Sequence, residues 1–556
     1  MTESAETTKS TTDWRGRATA RPGSSPRSGP PANVKSPWRW HTSWLCFLLL
    51  SIAAPASAVD VVLVCPDAFQ TAARTWVEHR RAESLQITVI PSQRTAESLS
   101  QTINQASDAN TRYVVLLGDA PVIGTPCDPA RQIPTHYRET TVTRNWGSTP
   151  TIATDLPYGL AGPDKIPRRA VGRIPVTSPA QVQSFVNRLK AYERSRDFGP
   201  WRQRIELTAG VGGFGMIADA AIEQVTRAIV TGVLPGDTRT SIAYGSPGHR
   251  FYPPGPSFRD AVIRRYRRGS RFWVYAGHGW IDQLDRVPAT EDGIAVLDNV
   301  SVSRLAGSQE RSSIGLMLAC YTGAFDASQP CLAESMMMQP FGPIAMIAGS
   351  RVTMPYGNCT AAVGLIDGIY DRRMPRLGDA WLGTLSAMHA DDEQDDRTTT
   401  RKLIDTLAAV VSPSGTKLID ERHEHMRLYN LLGDPTLKLN PPKTVPIRVV
   451  SGHLDGQPLQ IEWSSPIDGQ SQIDVGFPVG YQPDDQWIDA GWVREVEPGH
   501  WSIASADADA DAGAVNRHTF ELPESIDGML ICRVRVDGSD DWASGSADLV
   551  AQPRQR

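Results

Sequence analysis

Short apolar runs alternate with amphipathic stretches over the first four-fifths of the chain. "VDVVLVC" (59–65), "LQITVI" (85–90) and "RYVVLLGD" (112–119) read as buried strands. "FQTAARTWVEHRRAE" (69–83) and "TAESLSQTINQAS" (95–107) carry helical spacing between them. A Pro-rich loop region (121–170) leads to "AVGRIPV" (170–176) and a helix around 179–195. A second alternating series follows, with strands at "RIELTAG" (204–210), "TSIAYG" (240–245), "RFWVYAG" (271–277), "IGLMLA" (314–319) and "GPIAMIAGS" (342–350). Residues 361–437 look mostly helical. Strands alternating with helices predict a parallel sheet covered on both faces.

From about 441 the pattern changes. "PPKTVP" reads as a linker, and beyond it "IRVVSG", "LQIEW", "QIDVGF", "WSIAS", "HTFEL" and "MLICRVRV" are short strands without helical periodicity. They predict a small, Ig-like β-sandwich. The organisation expected is a leader (1–58), an N-terminal α/β subdomain (59–200), a second, catalytic α/β subdomain (201–440) and a sandwich (441–556).

Composition narrows the function. Of 556 residues, 40% are hydrophobic and 21% charged, and the net charge is -5, which offers no basic footprint for nucleic acid. The first 42 residues are rich in Ser, Thr, Pro, Gly and Arg and predict disorder. "SWLCFLLLSIAAPASA" (43–58) is too short to span a bilayer and ends in a small-x-small pattern. It predicts a secretory signal cut after Ala58, with no stable membrane insertion of the mature chain. The six cysteines that remain are too sparse for a disulfide scaffold.

Ligands of open parallel α/β sheets bind beyond the carboxyl ends of the strands. Two chemistry-bearing residues sit at such ends. Cys320 stops an unbroken apolar run, and His278 stands between Gly277 and Gly279 in "YAGHGW". An imidazolium lowers the pKa of a neighbouring thiol and can protonate a leaving amine. The N–H groups of Gly279 and Cys320 are placed to face the oxyanion of a tetrahedral intermediate. The two residues are 42 apart, close to the His-to-Cys order and spacing of caspases.

"YAGHG", "LACYTGAFD" and "PCLAES" resemble the gingipain family of cysteine peptidases, which have a caspase-like fold. "YVVLLGDAP" (113–121), "TDLPYGLAGPD" (154–164), "AVGRIPV" and "YNLLGDPTLKL" (429–439) resemble that family's landmarks in the same order. The resemblance covers about 59–440 and implies a secreted cysteine endopeptidase acting on proteins or peptides. It implies His278 as catalytic histidine, Cys320 as nucleophile, and Gly279 with Cys320 as oxyanion site. Cys331 matches a family position other than the nucleophile. No cofactor is required for this chemistry; the resemblance leaves room for a structural calcium ion, with no ligand set assigned. One departure stands out. The family's acid before "VGR" is replaced here by Arg168, so Asp164 or Asp155 substitutes, or the dyad works unaided, or the chain is an inactive binding scaffold.

Weaker signals remain. "GVGGFG" (210–215) fits G-x-G-x-x-G, with Asp237 roughly where a ribose-binding acid would stand, and supports a nucleotide-binding alternative. It reads more simply as a glycine-rich turn beside the cleft. "ADADADAG" (506–513) carries three alternating aspartates, but its glycine is one place late for a calcium loop and no glutamate closes it, so a solvated hairpin loop is expected. His423 and His425 are two apart and point to different helix faces.

Overall fold

The computed structural model describes residues 58–551, apart from 163–164, 214–218, 220–222, 225–226, 228–231, 256, 289–292, 391–398, 412–416, 452–457, 524–525 and 527. The predicted leader and all but the last residue of the predicted signal lie outside the described residues.

Strands β1 (Val61–Val64), β2 (Ile87–Ile90) and β3 (Tyr113–Leu117) come first. A hairpin-like pair, β4 (His136–Glu139) and β5 (Thr151–Thr154), fills the loop region. Then come β6 (Ala170–Ile174), β7 (Arg204–Ala209), β8 (Arg239–Tyr244) and β9 (Phe272–Ala276). Two-residue strands β10 (Arg286–Val287) and β11 (Ile294–Ala295) precede β12 (Ile314–Leu318), β13 (Ala345–Gly349) and β14 (Tyr429–Leu432). Ten of these form one sheet in the order β2-β1-β3-β6-β14-β13-β12-β9-β7-β8. Both predicted α/β halves therefore contribute to a single sheet.

The pairing is parallel throughout except between β13 and β14. That one antiparallel seam sets β2, β1, β3, β6 and β14 against β13, β12, β9, β7 and β8, so β14 of the second half runs with the strands of the first. The runs are apolar on both faces because helices cover both, and every residue of β1, β3, β6 and β13 is buried. The helices fall where the spacing places them, at Gln70–Arg81, Ala96–Ala106 and Pro179–Arg194. Thr95 and Ser178 cap the last two by accepting the N–H groups of Ser98 and Gln181. No helix among the described residues is long and apolar enough to cross a membrane.

The C-terminal strands form a six-stranded sheet packed with a three-stranded one. Ile461, Trp463, Ile473, Val475, Cys532 and Val534 fill the space between them. The expected linker is partly strand, since Lys443–Thr444 pairs alongside Ala543–Ser544. The sandwich docks firmly on the β7–β8 side. Arg204 Nε donates to Glu497 at 2.7 Å in buried surroundings, and Arg533 Nε donates to the Gly236 carbonyl at 2.7 Å.

The aspartate-rich segment differs from expectation. His500–Ala510 is one long strand, and Asp507 and Asp509 pair opposite Gln472 and Gln470. Ala504, Ala506 and Ala508 pack on the sandwich core, so the aspartates alternate with them on the other face. Among the described residues these aspartates do not converge as a metal-ligating set.

Candidate active site

Strands β9 and β12 are parallel neighbours, with Ala276 directly opposite Leu318. His278 lies two residues beyond the first and Cys320 two beyond the second. The two predicted residues thus occupy matching positions past the ends of adjacent strands, ~4.8 Å apart in the sheet. Both side chains are half-buried rather than sealed in the core.

The backbone brings the two turns together tightly. A Cβ on Gly279 would lie 2.7 Å from Thr322 Cγ2 and 2.9 Å from the Cys320 carbonyl oxygen. Only glycine lets the histidine loop rest on the cysteine turn. That turn is pinned in its own right: Tyr321 has φ 57°, its N–H donates to the Arg351 carbonyl at 3.0 Å, and the Gly323 N–H donates to Gly349 at 2.9 Å. Arg351 is clamped to Asp326 at 2.6 Å. Among the described residues, no backbone carbonyl takes the N–H of Gly279 or of Cys320.

Cys320 Sγ accepts the Thr353 N–H at 3.4 Å. Burial pushes the thiol's pKa up, and that N–H offsets part of the rise. The resting group is a thiol, and its deprotonation needs a base. A cavity of about 260 Å³ opens at Cys320, walled by Gly210, Gly212, Ala276, Gly277 and Thr353 and by apolar faces of β7, β9 and β12.

The acid beside His278 is Asp285, which the sequence reading did not single out. Its Oδ2 accepts the His278 N–H at 3.2 Å and the Val211 N–H at 3.3 Å. Asp285 is buried, and its pKa is pushed up by that burial and drawn back by His278. Nothing local in "HGWIDQLD" distinguishes Asp285 from Asp282; the turn between them makes the selection. The candidates named from the sequence stand elsewhere or outside the described residues. Asp155 is buried in a two-point pair with Arg173, at 2.7 and 2.8 Å. Asp164 lies outside the described residues. Arg168, at the place of the family's acid, is exposed just before β6, four strands from β9, or ~19 Å across the sheet.

The glycine loop serves this site. A Cβ on Gly210 would fall 1.9 Å from Asp285 Oδ2, and one on Gly213 would lie 3.8 Å from His278 Nε2. Asp237, by contrast, precedes β8 at the opposite sheet edge and bonds Ser544 of the sandwich. Six strand residues, ~20 Å, separate it from the loop, so the ribose arrangement is not formed.

The chain matches the peptidase family C25 profile over residues 54–440. The chain belongs to peptidase family C25. It is a cysteine-type endopeptidase of the gingipain kind with a caspase-like fold and a C-terminal β-sandwich. It is similar in structure to gingipain R (RgpB), an Arg-specific cysteine proteinase, at 17% identity and TM-score 0.50, covering 88% of this chain and 97% of that one. A complex of the RgpB pro- and mature domains from Porphyromonas gingivalis aligns at 16% identity and TM-score 0.49, over 88% and 99% of the two chains. Another structure, described only as a protease, aligns at 14% identity and TM-score 0.50, over 88% of this chain and 97% of that one. No curated protein sequence matches the chain.

The other histidines and carboxylates that cluster in this C25 chain hold its structure. His425 is buried, accepts the Met354 N–H at 2.8 Å, and has its pKa pushed down to about 4 by burial. His423 stacks on His389. Among the described residues one trio of metal-ligating side chains converges, His79, Glu83 and Glu193. Arg80 reaches both glutamates, at 3.2 and 2.9 Å, and Arg376 and Lys438 each reach Glu83 at 3.0 Å. Three cations already neutralise this set, so it does not fit a calcium ion. All six cysteines among the described residues are free.

Proposed function

We propose that the chain is a secreted endopeptidase that hydrolyses peptide bonds through Cys320 and His278. The observation that carries this reading is the matched placement of the two residues beyond Leu318 and Ala276, which face each other on paired parallel strands. His278 takes the Cys320 proton, and the thiolate attacks the carbonyl carbon. The N–H groups of Gly279 and Cys320 hold the oxyanion, each such donor being worth ~3–4 kcal/mol of barrier. His278 then protonates the departing amine, leaving a thioester on Cys320. Water, deprotonated by His278, cleaves the thioester and restores the thiol. Export rests on the apolar segment 43–58 with its small-residue end. A peptide-library digest, with cut sites read by mass spectrometry, tests the function directly. Cleavage at defined positions is expected, and intact peptides after prolonged incubation contradict it.

Asp285 has a positioning role in this reading. Its Oδ2 fixes the loop by accepting the His278 and Val211 N–H groups. Asp285→Ala is expected to lower kcat/KM by about 10-fold, mainly through kcat, and Asp285→Asn, which keeps an accepting oxygen, by less. An equal loss in the two variants, or a loss confined to KM, would contradict that role.

A further inference from the structure

Trp280 follows the oxyanion glycine directly, yet 48% of it is exposed. A single exposed apolar side chain is ordinary on its own; what sets Trp280 apart is its place beside Gly279 on the histidine loop. Its backbone is not loose. The Trp280 N–H donates to Gln283 at 2.9 Å, the Leu332 N–H to Ile281 at 2.7 Å, and the Asn299 N–H to Asp282 at 3.0 Å. Bridges between Gly279 and Leu284 and between Gln283 and Asp298 close the turn on both sides. The ring is therefore carried on a tied support, which lowers the ordering cost of any contact it makes.

We infer that Trp280 walls a subsite for a large aliphatic or aromatic side chain immediately flanking the scissile bond. The inference rests on the peptidase reading above. A carbonyl held by the Gly279 N–H belongs to the residue before the cut. The Trp280 Cα stands ~3.8 Å from that of Gly279, so the indole reaches the side chain on one side of the bond or the other. Aromatic rings gain from apolar contact beyond the area they cover.

The test uses two peptide series, varied as Gly, Leu, Phe or Arg at the residue before the bond in one and after it in the other. For the native chain, kcat/KM for Leu or Phe should exceed that for Gly by about 10-fold at one of the two positions, which names the side. Trp280→Ala should bring that ratio to within about 2-fold, and Trp280→Phe should keep most of it. Dissociation constants of the same peptides on Cys320→Ala, with and without Trp280→Ala, should show the same pattern without turnover. Binding that follows it in a chain that cleaves nothing contradicts the peptidase reading while upholding the subsite. A ratio that survives Trp280→Ala, an equal fall for every peptide, or loss of an Arg preference instead overturns the subsite.

Discussion

Cys320→Ala is expected to abolish peptide hydrolysis, with a fall in kcat of about 10⁴-fold or more, while the fold survives. The size of the loss follows from covalent catalysis, since without sulfur no thioester forms and the oxyanion donors act alone. The fold should tolerate the change because Cys320 sits at a half-buried turn rather than in the core. The turn is held by the Tyr321 and Gly323 backbone bonds and by the Arg351–Asp326 pair, none of which uses the thiol. Circular dichroism and melting temperature should match those of the native chain. Full hydrolysis by Cys320→Ala would remove the mechanism.

His278→Ala is expected to cost about 10³-fold in kcat/KM, and the residual rate should climb with pH through the alkaline range. The sign follows from the thiol. Burial holds the Cys320 pKa above its ordinary value, so the reactive thiolate is a small minority near neutrality. With the imidazole present, His278 takes the proton, and the profile is bell-shaped. Without it, thiolate forms only as solution pH rises, and the alkaline fall, where the pair loses its one shared proton, disappears. Kinetics from about pH 6 to 10, within the range in which the variant stays folded, distinguish the two shapes. A bell unchanged in His278→Ala would show that another group carries the proton.

The legible parts of the fold share one physical cause. Strands buried on both faces must be apolar at every position, so "VDVVLVC" and "IGLMLA" stand out without an alignment. Strand direction leaves no such trace, and the antiparallel seam between β13 and β14 was invisible for that reason. The placement of Cys320 and His278 at the ends of paired strands was legible because each follows an apolar run, and glycine at 279 is explained by its contact with the Cys320 turn. Asp285 was not legible, since its approach depends on how the turn after Trp280 folds back. The glycine loop shows how a motif misleads. Gly210 makes room for a carboxylate of the chain itself, the same freedom that a phosphate-binding turn requires. The alternating aspartates were visible as a pattern, but the intervening alanines carried the message: a strand with one packed face.

The central claim is that the Cys320 sulfur and the His278 ring serve one reaction at the ends of two neighbouring strands. Labelling with a peptidyl chloromethyl ketone, located by mass spectrometry, tests it most directly. The account predicts one adduct per chain, on Cys320, forming in step with loss of activity and slowed strongly in His278→Ala. An adduct on another residue, or complete inactivation with Cys320 unmodified, would contradict it.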